Sequence, residues 1–514
     1  MGANRSRDQM TKDPLNPGER TPSVLTRRRL LQSAGGALLA AGFPLFRLGG
    51  ADTPVANSTA ANGAVMKQLA DYLAAAGGRE LPAAVLEKTK HHVLDTIAAM
   101  VSGAELPPAQ VALKFARAYG GASTATIVGT NVLGGALEAA LVNGMLAHSD
   151  ETDDSHAPSH THPGCAVVPA ALAAGEQFGV SGAHFLRAVA LGYDVGPRVT
   201  MALGGLSFQM ETHHSTHSIG GNFGAAAAAG CAAGLNAQQM RWLLDYAAQQ
   251  SSGVAAWMRD LEHVSKSLVF GGNPARNGVA AALMIQLGAT GVDDILSGAD
   301  NFLLAYNPKA EPGRLVEKLG ARYEVMRTNI KKWTVGSPIQ APLDALQILR
   351  KKKPFEADQV EKVVVRVATS EAKTVNDRDM PNISLQHMVA VMLLDGTVSF
   401  SVAHDKARMQ DAVVRRLRAK VQLVPDEELE KLYPERQAIV EVTLSDGTAL
   451  VERVKAVRGT AENPMTRDEV VAKGHDLMAP RLGAEPSRRL IESVLSLEAL
   501  KDLRTLRPLL QRTG

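Results

Sequence analysis

Between His148 and Gly164 the chain reads His-Ser-Asp-Glu-Thr-Asp-Asp-Ser-His-Ala-Pro-Ser-His-Thr-His-Pro-Gly: four carboxylates and four imidazoles within seventeen residues, without a lysine or arginine. Solvated charge runs usually repeat one sign or alternate Glu with Lys. This run instead collects groups that titrate near neutral pH and sets them before an apolar stretch, so proton transfer or metal binding is the chemistry it suggests. As ligands, His156, His160 and His162 with Asp150 or Asp154 would suit zinc or iron by donor type. Their spacing matches no standard cage, and the acidic run lacks the glycine of a calcium loop. The reading adopted is therefore proton transfer, with no metal and no cofactor.

Three further segments place histidine or lysine in apolar, glycine-rich surroundings. In Thr212–Gly224, His213, His214 and His217 precede an Ala-rich run, and their i, i+3 and i, i+4 spacings would let them share a helix face. In Ser265–Gly278, Lys266 stands ahead of Asn273-Pro274, which reads as a helix start whose free backbone N–H groups favour a carboxylate or phosphate. Arg276 would lie in that same first turn. Ile330–Gln340 carries Lys331, Trp333 and Gln340. The pairs Gly220-Gly221 and Gly271-Gly272 make no dinucleotide fingerprint, since no strand precedes them.

Together these groups suit an elimination next to a carboxylate. His162 or His214 would take a proton from carbon, Lys266 and the nearby helix start would hold the enediolate charge, and Asp153, Asp154 and His156 would order or protonate a departing hydroxyl. Bare carboxylates repel an anionic substrate, so at least one must be protonated or paired with Lys266 or a histidine. The plainer reading of Asp153 and Asp154 is loop closure through backbone N–H groups. For Lys266 it is a side chain reaching water along an apolar stem.

Helices must position most of these residues. Apolar residues recur at helical spacing from Ala64 to about Met326, as in Leu86, Val93, Leu94, Ile97 and Val101 before Gly103. Ala-rich stretches at 136–146, 167–176, 224–235 and 279–287 continue the pattern. After Asn329 the texture changes. Val363, Val365 and Val367 alternate, as do Val440, Val442 and Leu444, which lead into the turn Ser445-Asp-Gly447. Helical patterns at 383–394 and 405–422 lie between them, and helical spacing returns from Thr466 to Leu510. The expected fold is mainly α: a large all-helical domain (62–329) and a smaller α+β lid domain (330–458) inserted before C-terminal helices (459–514) that return to the first. The junction at 330–340 is a usual place for a ligand pocket.

In order and content the four segments resemble the MmgE/PrpD family, whose reactions include 2-methylcitrate dehydration, cis-aconitate decarboxylation and iminodisuccinate epimerisation. The resemblance is carried by Asp153-Asp-Ser-His156 with His162-Pro-Gly164, by the helix His92–Gly103, by the histidines before Phe223-Gly-Ala, by Lys266 with Asn273-Pro-Ala-Arg-Asn-Gly278, and by Ile330-Lys331. It spans residues 64–510 and implies a homodimeric, cofactor-free lyase fold with a polycarboxylate held at the domain junction. Carried over by position, the family's active-site Asp, Thr, His and Lys fall on Glu151, Ser155, His162 and Lys266. A second His falls on His214 with a one-residue offset, which keeps His213 and His217 as candidates. A family Tyr lines up with Trp333 and a family His with Gln340. The implied activity is a hydro-lyase on a hydroxylated di- or tricarboxylic acid. An isomerase or epimerase, a decarboxylase, or a non-catalytic carboxylate-binding protein are the alternatives.

At 514 residues and 45% apolar composition the chain is long enough for two domains, and 4% aromatics with abundant Ala and Gly favour close-packed helices. Cys165 and Cys231 are too few for a disulfide framework and are expected as buried free thiols. Thr26-Arg-Arg-Arg-Leu-Leu-Gln32 and the apolar run to Phe46 resemble a twin-arginine export signal, too weakly apolar for a stable membrane span. Residues 1–61 are therefore expected to be signal and linker, cut between about Ala51 and Ala61, with a periplasmic or exported product handled by the twin-arginine machinery. Residues 1–50 carry +5 of the formal net +3, so the rest carries −2, and nucleic acid is not an expected partner.

Overall fold

The computed structural model describes residues 55–512, so the twin-arginine segment lies outside the described residues. Helices dominate; the described residues also form a two-stranded antiparallel ribbon, Ala125–Thr126 with Leu133–Gly134, and a four-stranded sheet towards the C-terminal end. Ala136–Ala147, Gly164–Phe178 and Thr216–Ala232 bury faces rich in alanine and glycine and pack with Ala83–Gly103 and Gly182–Leu203. Small residues let helix backbones approach, and one approach matters for the site. A methyl group on Gly144 would fall 2.5 Å from the carbonyl of Gly271. The helix that delivers His148 is thereby seated directly on the turn that follows Lys266.

One apolar cluster draws on residues 66–330 together with Met465, Leu477, Met478, Leu490, Ile491, Val494 and Leu510, so the last helices share the core of the first ones. A second cluster is built from residues 333–457 around the sheet. Its strands are β1 (Val360–Ala368), β2 (Val421–Asp426), β3 (Ala438–Leu444) and β4 (Ala449–Val454), in the order β2-β1-β3-β4. β1 pairs parallel with β2 and antiparallel with β3, and β3 turns into β4 through Gly447 at φ 84. Strand β2 corrects the helical reading of 405–422: the helix there is Ala412–Arg418, and the chain enters an edge strand at Val421. Pro425 is tolerated because an edge strand has no ladder on its outer side.

Asn273-Pro274 is also corrected. The helix Asn273–Gln286 does not start freely there, because Val264–Ser267 and a π-type turn at Leu268–Gly272 run into it continuously. The Asn273 N–H donates to the Leu268 carbonyl. The wider turn makes room for the proline ring, which in a regular α-helix would clash with the carbonyl four residues back. The N–H groups expected to hold an anion at that point are already spent. Among the described residues no helix is long and apolar enough to cross a membrane. Cys165 and Cys231 are both free and buried.

Candidate active site

The segment after Ala147 is irregular but pinned. Ser155 and Asn329 exchange backbone hydrogen bonds, as do His156 and Thr161, and the chain then enters the helix Gly164–Phe178. Consecutive residues therefore point in different directions. Asp153 faces two imidazoles: its Oδ2 lies 2.9 Å from His148 Nδ1 and its Oδ1 lies 3.1 Å from His162 Nδ1. Burial would raise this carboxyl, but the His148 and His162 imidazoles outweigh it and hold it well below the carboxylate range. An ionised carboxylate only accepts, so both Nδ1 atoms carry hydrogen. Burial brings the His162 imidazole down to about 4, against the opposing pull of Asp153. At neutral pH His162 is thus an uncharged ring with Nδ1–H anchored and Nε2 bearing a lone pair, the condition of an oriented general base.

His148, His162 and His217 gather on Phe270, and His160 and His263 extend the cluster to five imidazoles. His217 stacks on the Phe270 ring at 3.8 Å and His148 at 4.5 Å, His162 lies 5.3 Å from His217, His160 lies 5.0 Å from His217, and His263 lies 5.2 Å from His148. Burial holds His217 and His263 well below the ordinary imidazole value. The cations stand on the adjoining wall. Glu151 forms an ion pair with Lys266, and Lys331 donates to the Glu151 carbonyl at 2.8 Å while lying 3.5 Å from its carboxylate. Burial would raise Glu151, but Lys266 and Lys331 hold it well below its usual range. Lys266 lies 5.2 Å from the Phe270 ring centre and 5.5 Å from that of Trp257. The difficulty of bare carboxylates next to an anionic substrate is met by this pairing of every carboxylate with a cation or an imidazole.

Two groups of possible metal ligands converge here, His148 with Asp153 and His162, and His148 with Glu151 and His263, their ligand atoms lying within 4.8 Å of one another. Nitrogen and oxygen donors suit zinc. The ammonium groups of Lys266 and Lys331 on Glu151 would repel a dication, so the donor set fits proton handling better.

The remaining expected site residues divide. Ser155 and Lys331 line a cavity of about 450 Å³ with Asn329, Gln340, Tyr433 and Arg436. Asp154 is directed away from it: Oδ2 accepts from Tyr193 Oη at 2.6 Å and from His92 Nδ1 at 2.8 Å, and Oδ1 accepts from the Gly164 N–H at 3.0 Å. It closes the loop onto the helices and is not grouped with Asp153. His156 likewise leaves the cluster, its ring lying between Ser159 at 2.7 Å and Glu324 at 3.2 Å. His213, His214 and His217 share no helix face. His213 ends one helix in the left-handed region, His214 packs between Phe208 and Tyr306, and Ser215 caps the helix that carries His217. Only His217 reaches the other imidazoles.

Asn273 and Arg276 lie exposed on the outer side of their helix. Trp333 is buried with Nε1–H donating to Asp344 at 3.0 Å. Gln340 touches the cavity, but its amide is spent on the Trp333 N–H and the carbonyls of Trp333 and Val335. Sequence reasoning did not single out His148, His263 or Arg436. The first stood in the quoted run, and a signal for the second was a histidine three residues before Lys266.

Comparison with known proteins matches the MmgE/PrpD N-terminal domain at residues 67–314 and the MmgE/PrpD C-terminal domain at residues 333–499. The chain is similar to a cis-aconitate decarboxylase-like protein of Aspergillus oryzae, 27% identical over 86% of this chain and 96% of that one. It is also similar to the cis-aconitate decarboxylase of Homo sapiens, 27% identical over 83% of this chain and 90% of that one, and to that of Aspergillus terreus, 24% identical over 84% and 92%.

Proposed function

The chain belongs to the MmgE/PrpD family, and from that premise we propose that it is a lyase acting on a di- or tricarboxylic acid by moving a proton at the carbon next to a carboxylate. The observation that carries this is the Asp153–His162 pair beside Lys266 and Lys331. Uncharged His162 takes the proton through Nε2. The two ammonium groups stabilise the negative charge that develops on the substrate carboxylate, in a site where burial strengthens them. Glu151 keeps both lysines in place until the substrate competes for them. His217, stacked on Phe270 beside His162 and held uncharged by burial, orders the departing hydroxyl through a ring N–H, and a lysine ammonium supplies the proton with which it leaves as water.

Because the pivotal imidazole is uncharged, the geometry favours proton removal, and a hydro-lyase acting on a hydroxylated acid is the preferred form. Decarboxylation is the second reading, favoured by the similarity over most of the chain to cis-aconitate decarboxylases. In that form the proton goes to carbon as carbon dioxide leaves, and a lysine ammonium supplies it. Incubation with citrate and with cis-aconitate, followed by product analysis, separates the two: loss of water from the first supports the hydro-lyase, release of carbon dioxide from the second the decarboxylase. Conversion of neither, nor of any related acid, would sink the lyase reading. The basic leader at 26–32 supports export by the twin-arginine route, and the family resemblance supports a homodimer.

A further inference from the structure

The cavity lined by Ser155 and Lys331 is also lined by the loop before β3, which carries Tyr433 and Arg436. Arg436 is held from behind: its Nη1 donates to the buried carboxylate of Glu371 at 2.7 Å. Its Nη2 lies a long 3.5 Å from Tyr433 Oη, and among the described residues its Nε has no acceptor. A guanidinium has five N–H donors in a fixed fork suited to a carboxylate, and here most of them remain unspent at a cavity wall. The same charge reaches the imidazole cluster, since burial first and then Arg436 hold His160 down to about 3. Among the cations that line this cavity, which also include Arg327, Lys455 and Arg458, Lys331 lies beside Asp153, while Arg436 is anchored separately on Glu371 with most of its donors unspent.

We propose that Arg436 is a specificity-determining residue, taking a substrate carboxylate remote from the carbon at which the proton moves and so selecting acids with a further carboxylate over those without one. This rests on the polycarboxylate lyase reading and adds to it the group that distinguishes one such acid from another.

The test is steady-state kinetics of the full chain, wild type against R436K and R436Q. The substrate is whichever polycarboxylate is turned over, compared with its analogue bearing an amide in place of the remote carboxylate. R436Q is expected to raise KM for the acid roughly ten- to a hundredfold, the range for losing a charge-assisted hydrogen bond. Its kcat should change less than about threefold, because the interaction exists before and after the proton moves. Preference for the acid over the amide should disappear in R436Q and be partly restored in R436K, which a purely structural role would not produce. Since R436Q leaves Glu371 buried without its partner, the double variant R436Q/E371Q removes both charges and reports the same KM if the single variant folds poorly. An unchanged KM and unchanged acid preference in either protein would overturn the assignment while leaving the lyase reading intact. Wild-type protein that turns over no polycarboxylate would overturn both.

Discussion

His162→Asn isolates the proposed base from the rest of the site. An asparagine amide N–H takes nearly the place of Nδ1–H, so the hydrogen bond to Asp153 Oδ1, 3.1 Å in the native site, is kept and no buried carboxylate oxygen is orphaned. What disappears is Nε2. His148 still donates to Asp153 Oδ2, and Lys266 and Lys331 still flank Glu151. General-base removal of this kind costs about 10²–10⁴-fold in rate, or about 3–5 kcal/mol in the activation barrier. The expected result is a fall of that size in kcat, with the affinity for an unreactive saturated tricarboxylate changed by less than about threefold, because binding groups are untouched. Stopped assays of product give the first number, and calorimetric titration with the saturated acid gives the second. A variant that keeps kcat within about threefold of wild type would refute the assignment of His162. A variant that loses affinity and rate together would move His162 to substrate binding.

The acid limb of kcat/KM should fall near pH 4, because burial brings His162 to about 4 and the base works only unprotonated. A limb near 6.5 in a pH series would show an exposed imidazole instead. His404 lies 2.9 Å from Asp150 and is raised above its ordinary value, burial being outweighed by the bond to that carboxylate, while Asp150 is lowered by the same pair against burial. The pair therefore stabilises the fold fully between about pH 5 and pH 6.5; the contribution fades as pH rises through the raised His404 value and as it falls through the lowered Asp150 value. Melting of wild type minus H404Q across pH should show that window, and a difference that grows above pH 8 would contradict it. Asp154→Ala leaves Tyr193 Oη, His92 Nδ1 and the Gly164 N–H without their acceptor, so urea unfolding should show a loss of roughly 2–4 kcal/mol. A stable D154A protein with only kcat reduced would restore Asp154 to the chemistry. Gly144→Ala should destabilise by about 1–3 kcal/mol through the clash with Gly271, and an unchanged melting temperature would argue against the close approach.

The helical periodicity and the valine alternation of β1 and β3 were legible because burial repeats along one face of each element. The site segment was legible as chemistry, since acids and imidazoles before an apolar helix have few other uses. Its internal geometry was not. In an irregular loop no period assigns side-chain direction, so Asp153 and Asp154, neighbours in the chain, could not be separated into one residue for His162 and one for His92 and Tyr193. Pro274 signals a helix start by local rules, and only the π-type turn before it shows why it is not one. His263 stands in an acidic, loop-like context and gains meaning from the fold, which sets it 3.6 Å from Glu151. Arg436 is more than a hundred residues from Ser155 and Lys331 in the chain, and only the tertiary structure puts it on the cavity that they line.

Exchange of the carbon-bound hydrogen next to a carboxylate in heavy water, followed by proton magnetic resonance, reads the proposed proton abstraction itself. With a panel of di- and tricarboxylic acids, wild-type protein should exchange or convert at least one of them, and H162N and K266M should each abolish that signal while remaining folded. Wild-type protein that catalyses neither exchange nor conversion of any acid in the panel would contradict the account, as would undiminished exchange in H162N.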